Sequence, residues 1–234
     1  MPIYIGVNGI TRKITNGYVG VSGKARIIYN EEEEAQINAL PAGYIPYKYL
    51  YDNTGVGGVT IPITVNTYTQ IICDFQASRT DFTSPIFYRP LSSGSEIRYA
   101  AYIDNTGKLY IEKGSLIKTI SIQTNTSYTL NLTKNSSGDS YLNSTLLFSG
   151  MDSNVNSNQL RLFNNTTGTG IYKGSSKVIY IKGFYAYDLF NQKELVNLRP
   201  CTNGTYFGMY DLVSNTFYKD EDNPDYLQCS NTIL

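Results

Sequence analysis

Ile97-Arg98-Tyr99-Ala100-Ala101-Tyr102-Ile103-Asp104-Asn105-Thr106-Gly107-Lys108-Leu109-Tyr110-Ile111-Glu112 reads as one β-hairpin. β-formers stand on both sides of Asp104-Asn105-Thr106-Gly107-Lys108, which fits a type I turn with Gly107 left-handed, forming a three-residue loop. That loop sets the register: Tyr102 opposite Tyr110, Ala100 opposite Glu112 and Ile103 opposite Leu109. Side chains alternate across a sheet. Arg98, Tyr102, Lys108, Tyr110 and Glu112 therefore share one face, and Ala101, Ile103, Leu109 and Ile111 share the other, which is the expected core face.

The same rhythm runs outward from this hairpin. β-rich runs at Thr69 to Gln76, Ile117 to Ile122, Tyr128 to Leu132, Ser144 to Phe148, Gln159 to Phe163, Val178 to Leu189 and Thr205 to Tyr210 are separated by polar turn clusters. Short strands with turns between them predict an all-β sandwich or jelly roll. Composition agrees: 22 Tyr and 20 Gly against 16% charged residues favour strands and turns over helices. We expect one sandwich over residues 43–220 and a C-terminal tail over 221–234.

Upstream lies an internal repeat with a fourteen-residue offset. Tyr4-Ile5-Gly6-Val7-Asn8-Gly9 returns as Tyr18-Val19-Gly20-Val21-Ser22-Gly23. Each copy reads as strand, two-residue turn, strand, which makes residues 1–30 a small β-hairpin repeat module. A unit of this size holds no core alone and is expected to dock on another protein or on copies of itself, the alternative being that it packs as extra strands on the main domain. Arg12, Lys13, Lys24 and Arg26 are its basic attachment candidates, followed at once by Glu31 to Glu34. Residues 31–42 are read as a linker, with Asn30 as N-cap of a short helix that Pro41 ends.

Composition also excludes chemistry. The chain has no His and no Trp, which removes imidazole bases, Ser-His and Cys-His nucleophile pairs and nearly all transition-metal sites. Cys73, Cys201 and Cys229 are odd in number and widely spaced, so we expect free thiols. Lys plus Arg (19) balances Asp plus Glu (19), leaving no net field to draw the chain to nucleic acid or an anionic membrane. No signal peptide and no apolar spanning stretch is read at either end or between.

Two stretches resemble a known family. Leu40-Pro41-Ala42-Gly43-Tyr44-Ile45-Pro46-Tyr47-Lys48-Tyr49-Leu50, Val59-Thr60-Ile61-Pro62-Ile63 and Ile71-Ile72-Cys73-Asp74-Phe75-Gln76 are similar to the start of concanavalin A-like, laminin G-type domains of phage and prophage structural proteins. Ile181 to Asp188, Glu194 to Cys201, Gly208-Met209-Tyr210-Asp211 and Asn215-Thr216-Phe217-Tyr218 resemble the end of such domains. The Tyr-x-Gly-Val-x-Gly repeat is similar to short modules that begin phage head and tail proteins. The resemblance implies a concanavalin A-like jelly-roll lectin domain, displayed on a virion (capsid or tail) and joined to other virion proteins through its N-terminus. Host or glycan adhesion is the implied role, with cell-surface or mucosal glycan as partner; a purely architectural capsid decoration, head-fibre or tail component is the alternative. A homo-oligomer is expected, a trimer by analogy with phage appendages.

The same fold hosts glycosidases, which need two carboxylates held on rigid strands. Glu31 to Glu34 and Asp220-Glu221-Asp222 lie outside the β-rich runs, and the chain is expected not to be an enzyme. A sugar ring needs an aromatic platform with planar polar groups, and Arg98, Tyr102, Tyr110 and Glu112 are the candidate platform, the alternative being that they cover an outer sheet face or form a subunit contact. Asp52 with Asn53 and Asp104 with Asn105 offer calcium-ligand types, although ordinary Asx-turns use the same residues. No cofactor is expected beyond calcium at those loops.

Overall fold

The computed structural model describes residues 3–7, 10–14, 16–21, 24–30, 40–65, 68–79, 83–88, 98–114, 116–133, 139–149, 159–163, 179–220 and 223–231. The chain divides into two units, Met1–Ala42 and Gly43–Leu234. In the first, strands β1 (Ile3–Val7) and β2 (Ile10–Ile14) form one antiparallel hairpin and β3 (Asn16–Val21) and β4 (Lys24–Asn30) a second. Val7 pairs with Ile10 and Val21 with Lys24, the spacing that two-residue turns impose. Arg12 pairs with Ile5, Lys13 with Tyr4 and Arg26 with Val19. The side chains of this unit, and the acidic run with its expected helix, lie outside the described residues. Asn30, read as a helix cap, is the last residue of β4, opposite Asn16.

The second unit carries β5 (Ile45–Pro46), β6 (Tyr49–Asp52), β7 (Gly58–Ile61), β8 (Thr69–Ala77), β9 (Ser84–Tyr88), β10 (Arg98–Ile103), β11 (Lys108–Gly114) and β12 (Leu116–Ser121). It continues through β13 (Tyr128–Thr133), β14 (Ser140–Leu142), β15 (Thr145–Phe148), β16 (Leu160–Phe163), β17 (Ile179–Asp188), β18 (Lys193–Thr202), β19 (Phe207–Asp211), β20 (Thr216–Tyr218) and β21 (Leu227–Ser230). These strands make two antiparallel sheets. The smaller runs β12-β11-β10-β9-β16-β7; the larger runs β15-β14-β13-β8-β17-β18-β19-β20, with β5 on β18, β6 on β17 and β21 on β6. Among the described residues there is no α-helix, and the chain is an antiparallel β-sandwich.

Alternation decides which side chains meet between the sheets. Ile71, Cys73 and Phe75 of β8 and Phe184 and Ala186 of β17 point inward from the larger sheet, against Phe87, Ala101, Ile103, Leu109 and Ile111 from the smaller, all at most 1% exposed. Phe87 and Phe184 join the two sheets edge to face, with ring centroids 5.8 Å apart at 73°. Each such ring taken from water contributes roughly 1.5–3 kcal/mol.

The chain end is part of this sandwich. Residues 221–234 were expected as a tail, yet β21 pairs along β6 from Leu227–Asp52 to Ser230–Tyr49, and Leu227 is fully buried. Asp220 anchors the approach: its carboxylate accepts hydrogen bonds from the Gly58 and Asn223 amides. Gly57 lets this happen, because a Cβ there would stand 3.1 Å from Asp52 Oδ1 and 3.3 Å from Asp220 Oδ2.

Candidate functional site

The central hairpin adopts the register its turn dictates. Tyr102 pairs with Tyr110, Ala100 with Glu112 and Ile103 with Leu109, and Gly107 has φ +79°. The Tyr102 and Tyr110 rings stack 5.1 Å apart and 8° from parallel. They do not form an open platform. Tyr102 is 9% and Glu112 3% exposed, the Tyr102 hydroxyl lies 3.5 Å from Glu112 Oε1, and Tyr88 and Ala100 of the same outer face are buried with them. Arg98 pairs with Gly114 through its backbone; its side chain lies outside the described residues. The proposed Arg98, Tyr102, Tyr110, Glu112 site is corrected on that ground: alternation fixes a residue's face but not what covers that face.

The calcium candidates are turn anchors. Asp52 Oδ1 accepts from Thr54 N (2.9 Å), Thr54 Oγ1 (2.9 Å) and Gly55 N (3.0 Å), and its Oδ2 accepts from Gly57 N (3.1 Å). Asp104 Oδ1 accepts from Thr106 N and Lys108 N, each at 2.9 Å. Partial burial pulls the Asp104 carboxyl up, but the bonds from Lys108 and Thr106 outweigh it and hold the carboxyl below its usual range. Donors occupy the oxygens a cation would need, so Asp52 and Asp104 are Asx-turn residues. No cluster of three metal-ligating side chains occurs among the described residues.

The outer face of the larger sheet gathers the chemistry instead. Gln70, Ile72, Asp74 and Gln76 of β8 alternate with its buried residues. Across the β13 ladder Thr129 meets Asp74 and Thr133 meets Gln70; across the β17 ladder Gly183 meets Asp74, Tyr185 meets Ile72 and Tyr187 meets Gln70. On β18, Asn197 lies opposite Tyr185 and Glu194 opposite Tyr187. Two bulges build this surface. Ile181 pairs with Phe75 but Gly183 with Asp74, leaving Lys182 extra in β17; Ala186 pairs with Val196 but Tyr187 with Glu194, leaving Leu195 extra in β18.

At the centre, the Arg199 guanidinium lies 4.7 Å from the Tyr185 ring centroid and donates from Nη1 to the Tyr185 hydroxyl. Both rest on Gly183: a Cβ there would stand 3.1 Å from Tyr185 Cε2 and 3.3 Å from Arg199 Nη1. The Tyr187 hydroxyl donates to Glu194 Oε1 (3.2 Å), which also accepts from Asn197 Nδ2 (2.9 Å). Burial raises the Tyr185 phenol above its usual pKa despite the lowering effect of Arg199, and burial together with Glu194 raises Tyr187. Both remain hydroxyl donors at neutral pH. A cavity of about 220 Å³ opens beside them, lined by Tyr49, Asp74, Gln76, Tyr128, Thr129 and Lys182 among others. Gln76 Oε1, Asn197 Oδ1 and Arg199 Nε are buried and have no hydrogen-bond partner within the protein.

Cys73, Cys201 and Cys229 are free thiols. Burial drives the Cys201 pKa up to about 12 and raises the other two. None is an activated nucleophile.

No family model matches the chain, and no curated protein matches it. Among solved structures it is similar to a Trypanosoma rangeli sialidase in complex with sialic acid (10% identity, 80% of this chain, 42% of that chain, TM-score 0.47). It is also similar to a glycoside hydrolase family protein from Mycobacterium thermorestibile (9% identity, 62% of this chain, 75% of that chain, TM-score 0.38). A carbohydrate binding module from Bacillus subtilis is a third (15% identity, 53% of this chain, 92% of that chain, TM-score 0.30). The chain spans about two fifths of the length of the sialidases it matches. Against these likenesses the reading of the chain as a non-enzyme is withdrawn: sialidases and a glycoside hydrolase family protein stand among its structural neighbours. That reading rests on the missing histidine and on acidic runs lying outside the β-rich runs; glycoside hydrolysis runs on carboxylates, and Asp74 on β8 and Glu194 on β18 do stand on strands.

Proposed function

We propose that the Gly43–Leu234 sandwich binds carbohydrate on the outer face of its larger sheet. The observation that carries this reading is the set of three buried polar atoms, Gln76 Oε1, Asn197 Oδ1 and Arg199 Nε, left without partners on one tyrosine-bearing face. Leaving such an atom unmade costs about 1–3 kcal/mol, and native folds keep few of them. Both acceptor and donor are represented, as the hydroxyl rim of a sugar requires, and small shifts of the half-buried neighbours admit a hydroxyl. Tyr185, packed against Gly183 through Cε2 and its hydroxyl and backed by Arg199, supplies the apolar face for a ring.

The N-terminal hairpin pair is the attachment element of this reading. Two two-stranded hairpins with Arg12, Lys13, Lys24 and Arg26 in their strands suit docking on a larger assembly, and a phage particle is the assembly that the sequence resemblance implies. The sandwich then faces outward as the adhesive domain.

The test is affinity electrophoresis of the whole chain through gels containing a panel of neutral and acidic polysaccharides, with a glycan array in parallel. Sugar-competed retardation that Arg199→Met and Asn197→Ala weaken by about tenfold or more, at an unchanged unfolding midpoint, supports the reading. A folded protein retarded by nothing in the panel overturns it and leaves an architectural role.

A further inference from the structure

Six large apolar side chains are exposed among the described residues: Ile45, Val56, Tyr68, Ile117, Leu146 and Phe190. Single exposed aliphatics are normal on a protein surface. Tyr68 and Phe190 differ because they are paired: their rings lie 5.1 Å apart and 36° from parallel, at 43% and 70% exposure. The pair is also held in place. Asp188 Oδ1 accepts from Phe190 N (2.9 Å) and Asn191 N (3.1 Å), its Oδ2 from Asn191 Nδ2 (2.8 Å), and Leu189 N donates to Tyr68 O (2.9 Å). A rigid exposed aromatic pair loses little conformational entropy on binding.

Its position gives it meaning. Tyr68 stands two residues before Gln70, at the parity of the outer face, and Phe190 stands two residues past Asp188, the end of β17. From the Lys182 cavity to the end of β17 the row is Tyr185, Tyr187 and then the Tyr68–Phe190 pair. At ~3.3 Å per residue the strand from Lys182 to Asp188 covers roughly 20 Å, longer than one sugar ring. Glu194 and Asn131 line the interval: Glu194 accepts from Tyr187, and Asn131 accepts from Gln70.

We infer that the ligand is an extended carbohydrate chain lying along β17, with Tyr68 and Phe190 as its distal subsite, rather than a single terminal sugar. This rests on the carbohydrate reading of the same face.

The test uses the whole chain in isothermal titration with disaccharide to hexasaccharide ladders of cello-, laminari-, xylo- and galacturono-oligosaccharides. In the ladder that binds, affinity is expected to climb with length and then level off. Phe190→Ala is expected to lower affinity for the hexasaccharide about fivefold or more and to leave the disaccharide unchanged; Tyr68→Ala should act in the same way. Both positions are exposed, so folding is little affected. Affinity independent of length, or a Phe190→Ala protein that binds the hexasaccharide like the parent, overturns the chain-binding inference while leaving carbohydrate binding intact. Failure to bind any ladder or any polysaccharide in the gel panel overturns both.

Discussion

Gly183→Ala separates the proposed binding face from the fold. Gly183 is not among the residues with positive φ, so an alanine backbone fits without strain. The added methyl would stand 3.1 Å from both Cε2 and the hydroxyl of Tyr185 and 3.3 Å from Arg199 Nη1, where ordinary carbon contacts begin near 3.5 Å. Both neighbours are tips of half-buried side chains, so they move by under about 1 Å and the sheet stays. The fold then loses at most the hydroxyl bond and part of the cation–π contact, about 1–2 kcal/mol together. Binding loses the ring position that packing on Gly183 sets. A ligand that covers one face of Tyr185 removes roughly 60 Å² of apolar surface from water, worth about 1.5 kcal/mol, which is about tenfold in Kd. Urea unfolding and gel retardation by whichever polysaccharide holds the parent measure the two effects. Retardation equal to the parent's, in a protein that unfolds cooperatively, refutes the placement of the site. Gly208→Ala is the contrast: its Cβ would run into the backbone carbonyl of Tyr218, and we expect a loss of more than about 2 kcal/mol of stability.

Three further outcomes follow from buried groups. Asp52→Ala strips the acceptor from the amides of Thr54, Gly55 and Gly57 and should cost more than about 3 kcal/mol in urea unfolding, while millimolar calcium should leave the parent's midpoint unmoved; a clear upward shift refutes the turn-anchor assignment. The Asp104 carboxyl is depressed in the fold, so the stability it adds is present above its unfolded value of about 3.9 and fades as pH falls through its lower folded value; the gap between parent and Asp104→Ala should therefore close on acidification, and a gap that widens sinks the argument. With Cys73 and Cys201 buried and their pKa values raised, a thiol-reactive disulfide dye at pH 8 should titrate these two only after denaturation, and prompt reaction of more than one thiol in the native protein contradicts their burial.

Much of the sandwich was legible because periodicity and turn chemistry act locally. The Asp104–Gly107 turn set the hairpin register to the residue, and all nine β-rich runs became strands. β9 escaped notice because Pro85 interrupts its pattern, and proline inside a strand normally argues for an edge; here the register of β9 against β10 shifts between Ala101 and Tyr102, bringing Pro85 opposite Tyr102. β21 was read as tail because Leu227-Gln228-Cys229-Ser230 is short and follows a polar run, and only its partner β6, more than 170 residues earlier, makes it a strand. The candidate face was hidden for a sharper reason. Unbroken alternation places Tyr180 and Tyr185 on opposite faces, and likewise Glu194 and Asn197. The extra residues Lys182 and Leu195 reverse that parity; Gly183, an isolated glycine within a β-run, is the one local signal for the first bulge, and nothing local marks the second.

Both outer faces of the sandwich carry tyrosine, and the difference between them is what bulges and cover do to it. On the smaller sheet Tyr88 and Tyr102 sit with Arg161 and Glu112, each at most 9% exposed, so these side chains are covered. On the larger sheet Tyr185, Tyr187, Asp74, Asn197 and Arg199 are only half-buried, and the two bulges give up ladder pairing in central strands to bring them together. Lost ladder bonds are a cost that packing alone does not recover, since Lys182 is polar and Leu195 only partly buried. What the bulges provide is position: the first brings Tyr185 and Arg199 over Gly183 beside the cavity, and the second brings Glu194 within reach of both Tyr187 and Asn197. These two bulges, with the partnerless Gln76, Asn197 and Arg199 atoms on the same face, are the features on which the proposed carbohydrate face rests.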